Sequence, residues 1–168
     1  TDNDGGSGVE SITYSIDGGA PTTVAAATTQ VTIAAPADHS NDGVHTLSFY
    51  ATDNDGNQET PQSVSVKIDT TGPTTVTKSA SGRKGRPITL KFWVRDNLSP
   101  RATSVVLIIR NNHKKVVKTL KLGNEKILVG HAVKWTPKGK GVYRYTVHAK
   151  DLAGNTQTRA GSAKITVK

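Results

Sequence analysis

The segment that decides the fold is "GVHTLSFYATDNDGNQET", Gly43 to Thr60, because it returns at an offset of 98 residues as "GVYRYTVHAKDLAGNTQT", Gly141 to Thr158. Gly43 and Gly141, Val44 and Val142, Ala51 and Ala149, Asp53 and Asp151, Gly56 and Gly154, Asn57 and Asn155, and Thr60 and Thr158 coincide. A repeat with this period reads as one small domain used twice. Within each copy the side chains alternate. His45, Leu47, Phe49 and Ala51 align with Tyr143, Tyr145, Val147 and Ala149 on one face, while Thr46, Ser48, Arg144, Thr146 and His148 take the other. A period of two means a half-buried antiparallel strand. A Gly-Asn turn follows it, and then a second alternating run, Val64-Val66-Ile68 or Ala163-Ile165-Val167, so each copy ends in a hairpin.

Around this hairpin the second copy supplies seven short strands, expected near 75–80, 86–95, 104–110, 115–122, 127–136, 141–150 and 160–167. Seven strands in one domain of this size match an immunoglobulin-like sandwich, in which they are A, B, C, C′, E, F and G. The first copy does not supply the set. "VRDN" at the end of strand B, Val94 to Asn97, is matched by "TDND" at residues 1–4, followed by strand C, Glu10 to Asp17. The expected fold is all-β: two tandem Ig-like or fibronectin III-like sandwiches, the first lacking its N-terminal strands A and B. The domains are residues 1–70 and 77–168, with 71–76 as the linker. The missing strands are either cut away or donated by another chain, and Thr1 in place of Met reads as a fragment or a processed product.

Composition agrees. Val, Ile and Thr are abundant, aromatic residues make up 5% of the chain, and no dozen-residue stretch has apolar positions at helical spacing. Cysteine is absent, which excludes disulfides, thiolate metal sites and a cysteine nucleophile. No apolar run is long enough for a spanning helix. Charge divides the chain sharply: residues 1–72 hold ten acids and one base, Lys67, a net of −9, whereas residues 73–168 hold 21 bases and three acids, a net of +18. The division falls in "DTTGPTT", Asp69 to Thr75, where Gly72 and Pro73 interrupt any strand.

The motifs resemble a known group. "GSGVESITYSIDGG" (Gly6 to Gly19), the Gly43 to Thr60 segment and "VSVKIDTTGP" (Val64 to Pro73) resemble the Ig-like repeats of secreted and surface-anchored, adhesin-like bacterial proteins. "KKVVKTLKLG" (Lys114 to Gly123) and "VKWTPKGKGVYRYTVHAKDLAGNTQ" (Val133 to Gln157) are similar to Ig-like or fibronectin type III-like C-terminal modules such as that of flagellar hook-capping proteins. The resemblance implies an extracellular, non-enzymatic repeat that spaces, adheres or displays.

Candidate sites follow from the topology. In such a sandwich the BC and FG loops share a pole, so Asp2 and Asp4 would lie near Asp53, Asp55 and Glu59, and five carboxylates would suit Ca2+. The plainer reading makes Asp53 and Asp151 acceptors for turn N–H groups, with Gly56, Gly154, Asn57 and Asn155 taking positive φ. The second copy favours that reading, since Ala153 stands where the first has Asp55. The resemblance to giant adhesins with Asp-Thr-Thr-x-Pro linkers implies a second Ca2+ set at the junction, Asp69, Asp96 and Asp151, although Gly72 precedes Pro73 here. No cofactor is required.

On strand B, Ile88, Leu90, Phe92 and Val94 face one way, which turns Lys91, Trp93 and Arg95 the other. With Arg83, Lys84, Arg86 and Lys134 they would bind an anionic glycan or wall polymer by charge and ring stacking, or else form a solvated face whose Trp lies under Lys and Arg stems. An extracellular setting argues against nucleic acid. Trp135, in line with Val133, is read as core. The histidines, His39, His45, His113, His131 and His148, form no catalytic grouping. The expected function is a structural and adhesive repeat. The alternatives are an anionic-polymer binder and a filament whose acidic half docks on the basic half of the next copy. Its partners are neighbouring Ig-like domains or copies of itself.

Overall fold

A computed structural model describes residues 6–168 and contains strands but no helix. It divides into two compact units, Thr1–Thr70 and Thr71–Lys168. No helix among the described residues is long and apolar enough to cross a membrane.

The first unit is built on one antiparallel sheet of four strands, β1 (Val9–Ile16), β2 (Thr22–Val24), β3 (Gly43–Asp53) and β4 (Gln62–Ile68), in the order β2-β1-β3-β4. Register pairs Tyr14 with Phe49, Ile16 with Leu47 and Leu47 with Val64, gathering the apolar side chains on one face as their alternation requires. That face is incompletely covered. Among the described hydrophobic residues of this unit only Ile68 is buried, and Val64 is 48% exposed. No strand is found between β2 and β3, so the described residues contain no second sheet opposite the first.

The second unit is a complete sandwich. Its strands are β5 (Thr74–Thr77), β6 (Ala80–Gly82), β7 (Ile88–Arg95), β8 (Arg101–Asn111), β9 (Val116–Lys126), β10 (Gly130–Trp135), β11 (Gly141–Asp151) and β12 (Gly161–Val167). One sheet runs β10-β7-β5 and the other β6-β12-β11-β8-β9. Ile88, Leu90, Phe92 and Val94 of β7 meet Val105, Leu107 and Ile109 of β8, Tyr145 and Val147 of β11 and Ile165 of β12 in a single core. Trp135 joins it, its ring edge-on to Tyr143 at 5.0 Å. Removing this much branched and aromatic surface from water is what holds the two sheets together.

Strand A differs from expectation. It is two strands: β5 pairs antiparallel with β7 in one sheet, and β6 pairs parallel with β12 in the other. The crossing at Lys78 and Ser79 is fixed by Tyr145, whose hydroxyl lies 2.7 Å from the Lys78 and the Lys91 carbonyl oxygens and accepts the Lys78 N–H at 3.2 Å. Residues 74–76, read in the sequence as linker, are paired strand, and Pro73 before them is fully buried. Thr75 ties this start to the opposite sheet by donating its hydroxyl to the Val147 carbonyl at 2.8 Å and accepting the Gly161 N–H at 2.7 Å. Gly161 must stay small: a Cβ there would stand 2.5 Å from the Thr75 carbonyl oxygen.

Candidate functional site

The repeated turn is the first place to look for bound cations, and in both units its carboxylate is turned onto the backbone. Asp53 Oδ1 accepts the N–H groups of Asp55 (3.0 Å) and Asn57 (2.8 Å), and its Oδ2 accepts the Asn57 amide at 2.8 Å. These bonds, from the Asn57 side chain first, hold the Asp53 carboxyl below the usual carboxylate range. In the second unit Asp151 Oδ1 accepts the Asn155 N–H at 2.7 Å and Oδ2 the Asn155 amide at 2.9 Å. Gly56 and Gly154 take the positive φ angles, 84° and 98°, as expected; Asn57 and Asn155 do not. Each Asn serves instead as a donor to its Asp, so one glycine per turn supplies the left-handed residue.

A further pair of equivalent bonds escaped the sequence reading. Ala51 N–H donates to Glu59 Oε2 at 3.3 Å, and Ala149 N–H donates to Gln157 Oε1 at 3.1 Å. Both side chains replace a strand partner just after the turn. The signal was present, because Glu59 and Gln157 are equal in length and stand at the same offset. Of the five carboxylates assigned to the BC/FG pole, Asp2 and Asp4 lie outside the described residues, Asp53 and Glu59 face the backbone, and Asp55 is exposed.

Of the junction carboxylates, Asp69 follows Ile68 of β4 at the end of the first unit. Asp96 and Asp151 belong to the second, at the ends of β7 and β11, and bring carboxylate oxygens within 4.8 Å of each other. Asp151 is 1% exposed. Asp96 Oδ1 accepts the N–H groups of Leu98 (2.9 Å) and Ser99 (2.7 Å), while its Oδ2 is buried with no hydrogen-bond partner among the described residues.

The basic constellation divides between two places. Lys91, Trp93 and Arg95 alternate with the core residues of β7 and so share the outer face of the three-stranded sheet, with Lys134 opposite Thr89 on β10. Trp93 stands between Gly130 of β10 and Val76 of β5, and the Lys78 ammonium lies 5.1 Å over its ring. Arg83, Lys84 and Arg86 are not on that face. They form the turn before β7, closed by Lys84 N–H to the Lys168 carbonyl at 3.0 Å and Gly85 N–H to the Pro137 carbonyl at 3.0 Å.

The histidines are distributed. His45 Nδ1 lies 2.7 Å from Asp17 Oδ2, His131 Nδ1 lies 3.0 Å from Glu125 with its ring stacked on Phe92 at 5.0 Å, and His39 Nδ1 meets Thr70 Oγ1 at 2.7 Å.

Two β-sheet units carrying the same F–G hairpin give the chain an Ig-like fold. Residues 4–70, in the first unit, match the model of a family described as the bacterial Ig-like domain. The fibronectin(III)-like modules of Clostridium thermocellum CbhA are similar in structure, at 17% identity over 96% of this chain and 80% of that one, with a TM-score of 0.44. Dimeric latent PorU from Porphyromonas gingivalis shares 19% identity over 99% of this chain and 17% of its own, with a TM-score of 0.43. The D00-D0 domain of Intimin shares 14% identity over 96% and 86%, with a TM-score of 0.39. Comparison with curated proteins gives no match.

Proposed function

We propose that this chain is an extracellular, non-enzymatic structural and adhesive segment of a bacterial surface or secreted protein. The observation that carries the reading is the family match over residues 4–70, joined to a second unit whose hairpin repeats the same Asp–Asn bonds. Ig-like units in series separate and present other parts of a protein, and they need no cofactor to do so. The test is surface labelling: an antibody against the chain should stain intact cells of the source bacterium, or the chain should be found in the medium. Staining only after lysis would sink the proposal.

The basic second unit supports a second reading, binding of an anionic glycan or wall polymer. Lys91, Trp93 and Arg95 lie on one outer face, and Arg and Lys beside an aromatic ring suit a charged sugar chain. Ca2+ is a third element of the proposal. The buried, unpartnered Asp96 Oδ2 beside Asp151 is a hard oxygen donor pair, and Asp69 precedes the second unit by two residues in sequence. Ca2+ should raise the melting temperature of the wild type and not that of Asp96→Asn. An unchanged wild-type melting curve on adding Ca2+ or chelator would exclude it.

A further inference from the structure

The five-stranded sheet carries a charge pattern that the structural reading does not use. Register places Lys164 of β12 opposite Arg144 of β11, and Arg144 opposite Arg110 of β8. All three alternate with core residues, so they leave the sheet on its outer face. Neighbouring strands lie about 4.8 Å apart, so the three basic residues stand abreast on the sheet, their backbones within about 10 Å. Over them opens a cleft of about 480 Å³, which Asn111 and Lys114 of the β8–β9 turn also line.

Nothing in the unit neutralises this row. Among the described residues Arg110, Arg144 and Lys164 form no ion pair. The three acids of this unit sit at the opposite end of the strands: Asp96 follows β7, Asp151 ends β11, and Glu125 pairs with Ala102 near the start of β8. From Ala102 to Arg110 is about 25 Å of extended chain. Like charges directly opposite one another destabilise a sheet. A local rule broken without compensation is the mark of a site under functional demand.

We infer that the Lys164–Arg144–Arg110 row is a binding site for a linear acidic polysaccharide, whose carboxylates or sulfates recur at about the spacing of successive strands. This rests on the reading of the basic unit as a binder of anionic polymer, and it moves the site from the Lys91–Trp93–Arg95 face to the other sheet. The open cleft suits an extended polymer rather than an enclosed small ligand. Guanidinium groups grip carboxylate and sulfate oxygens in pairs. Single-stranded nucleic acid would need a ring on which bases stack. The one aromatic residue lining the cleft, Tyr143, has its ring packed edge-on to Trp135 and its hydroxyl on the Gly139 carbonyl. The acidic unit of a second copy fits less well, because Asp17, Asp38, Asp42 and Asp53 are held by hydrogen bonds within their own unit.

The test uses the full chain against polygalacturonate, dextran sulfate, neutral dextran and a single-stranded oligonucleotide. The wild type should bind one or both acidic glycans, the two arms separating carboxylate from sulfate, and should ignore neutral dextran. Arg110→Ser/Arg144→Ser/Lys164→Ser should raise Kd at least about tenfold, each lost charge-assisted contact being worth a substantial part of such a factor. Its melting temperature should not fall, since it relieves repulsion. The comparison variant, Lys91→Ser/Arg95→Ser/Lys134→Ser, removes equal charge from the face of the second reading and should raise Kd several-fold less than the first. Equal losses in both variants would reduce the effect to net charge and overturn the assignment. Loss in the comparison variant alone would overturn it while sparing the second reading of the function. Tighter binding of the oligonucleotide, or self-association that only the first variant abolishes, would replace the ligand class. No binding by the wild type would remove both readings.

Discussion

Tyr145 shows how much one side chain can decide. Its ring fills the core while its hydroxyl reaches the two carbonyls that flank the crossing of strand A. Tyr145→Phe should therefore cost about 1–2 kcal/mol in chemical denaturation of the second unit, the worth of a hydrogen bond whose backbone partners stay behind. Burial pushes the phenol above its ordinary value of 10.0. Stability from this group is complete below that value and is lost as pH rises through the higher folded one, so alkaline unfolding should weaken in the Phe variant. His45 and Asp17 make the corresponding pair in the first unit. The Asp17 hydrogen bond, then the Asn41 carbonyl, raises His45 above 6.5; the His45 bond, then the Thr46 N–H, holds Asp17 below 3.8. The pair's contribution is lost as pH rises through the folded His45 value and as pH falls through the folded Asp17 value. Melting followed against pH should show both limbs, and Asp17→Asn should flatten them; unchanged limbs would refute the coupling.

The turn after the long F strand is the element most legible in the sequence. Asp, Gly and Asn at a fixed spacing, twice, told both its place and its chemistry, and the structure differs only in leaving positive φ to the glycines. The two copies differ in burial, so they should differ in cost. Asp151→Ala should destabilise the second unit by about 2–3 kcal/mol, because it removes a buried carboxylate that accepts both the Asn155 N–H and the Asn155 amide. Asp53→Ala, on a more exposed turn, should cost less, and denaturant midpoints of the two variants test the order. Strand A was less legible. "TVTKSA", residues 75–80, reads as one strand, but its switch of sheets depends on Tyr145 and Thr75 reaching it from β11 and across to β12, at sequence separations of 67 and 86 residues. No local window contains those partners. The same limit hid the Lys164–Arg144–Arg110 row, whose members are unremarkable along the chain and become neighbours only through strand register.

At the scale of the molecule the two units differ in how much they bury. The second closes a core between two sheets, whereas the described part of the first presents one sheet with a half-covered apolar face. A single small sheet without a packed partner is marginal in water. Calorimetry of the whole chain should resolve two transitions, the first carrying the His45 signals with it and the second responding to Tyr145→Phe. One cooperative transition shared by both sets of signals would refute that difference.

The sequence by itself determined the all-β class, the repeat, the inward and outward faces of each strand and the opposition of charge between the two halves. These are properties of composition and of a two-residue period, which a linear pattern records completely. Tertiary structure decided which outward residues stand side by side, where strand A changes sheets and which carboxylates are spent on their own turns. Those depend on pairing between strands distant in the chain, and a strand's alternation says which way a side chain points without saying what it will meet.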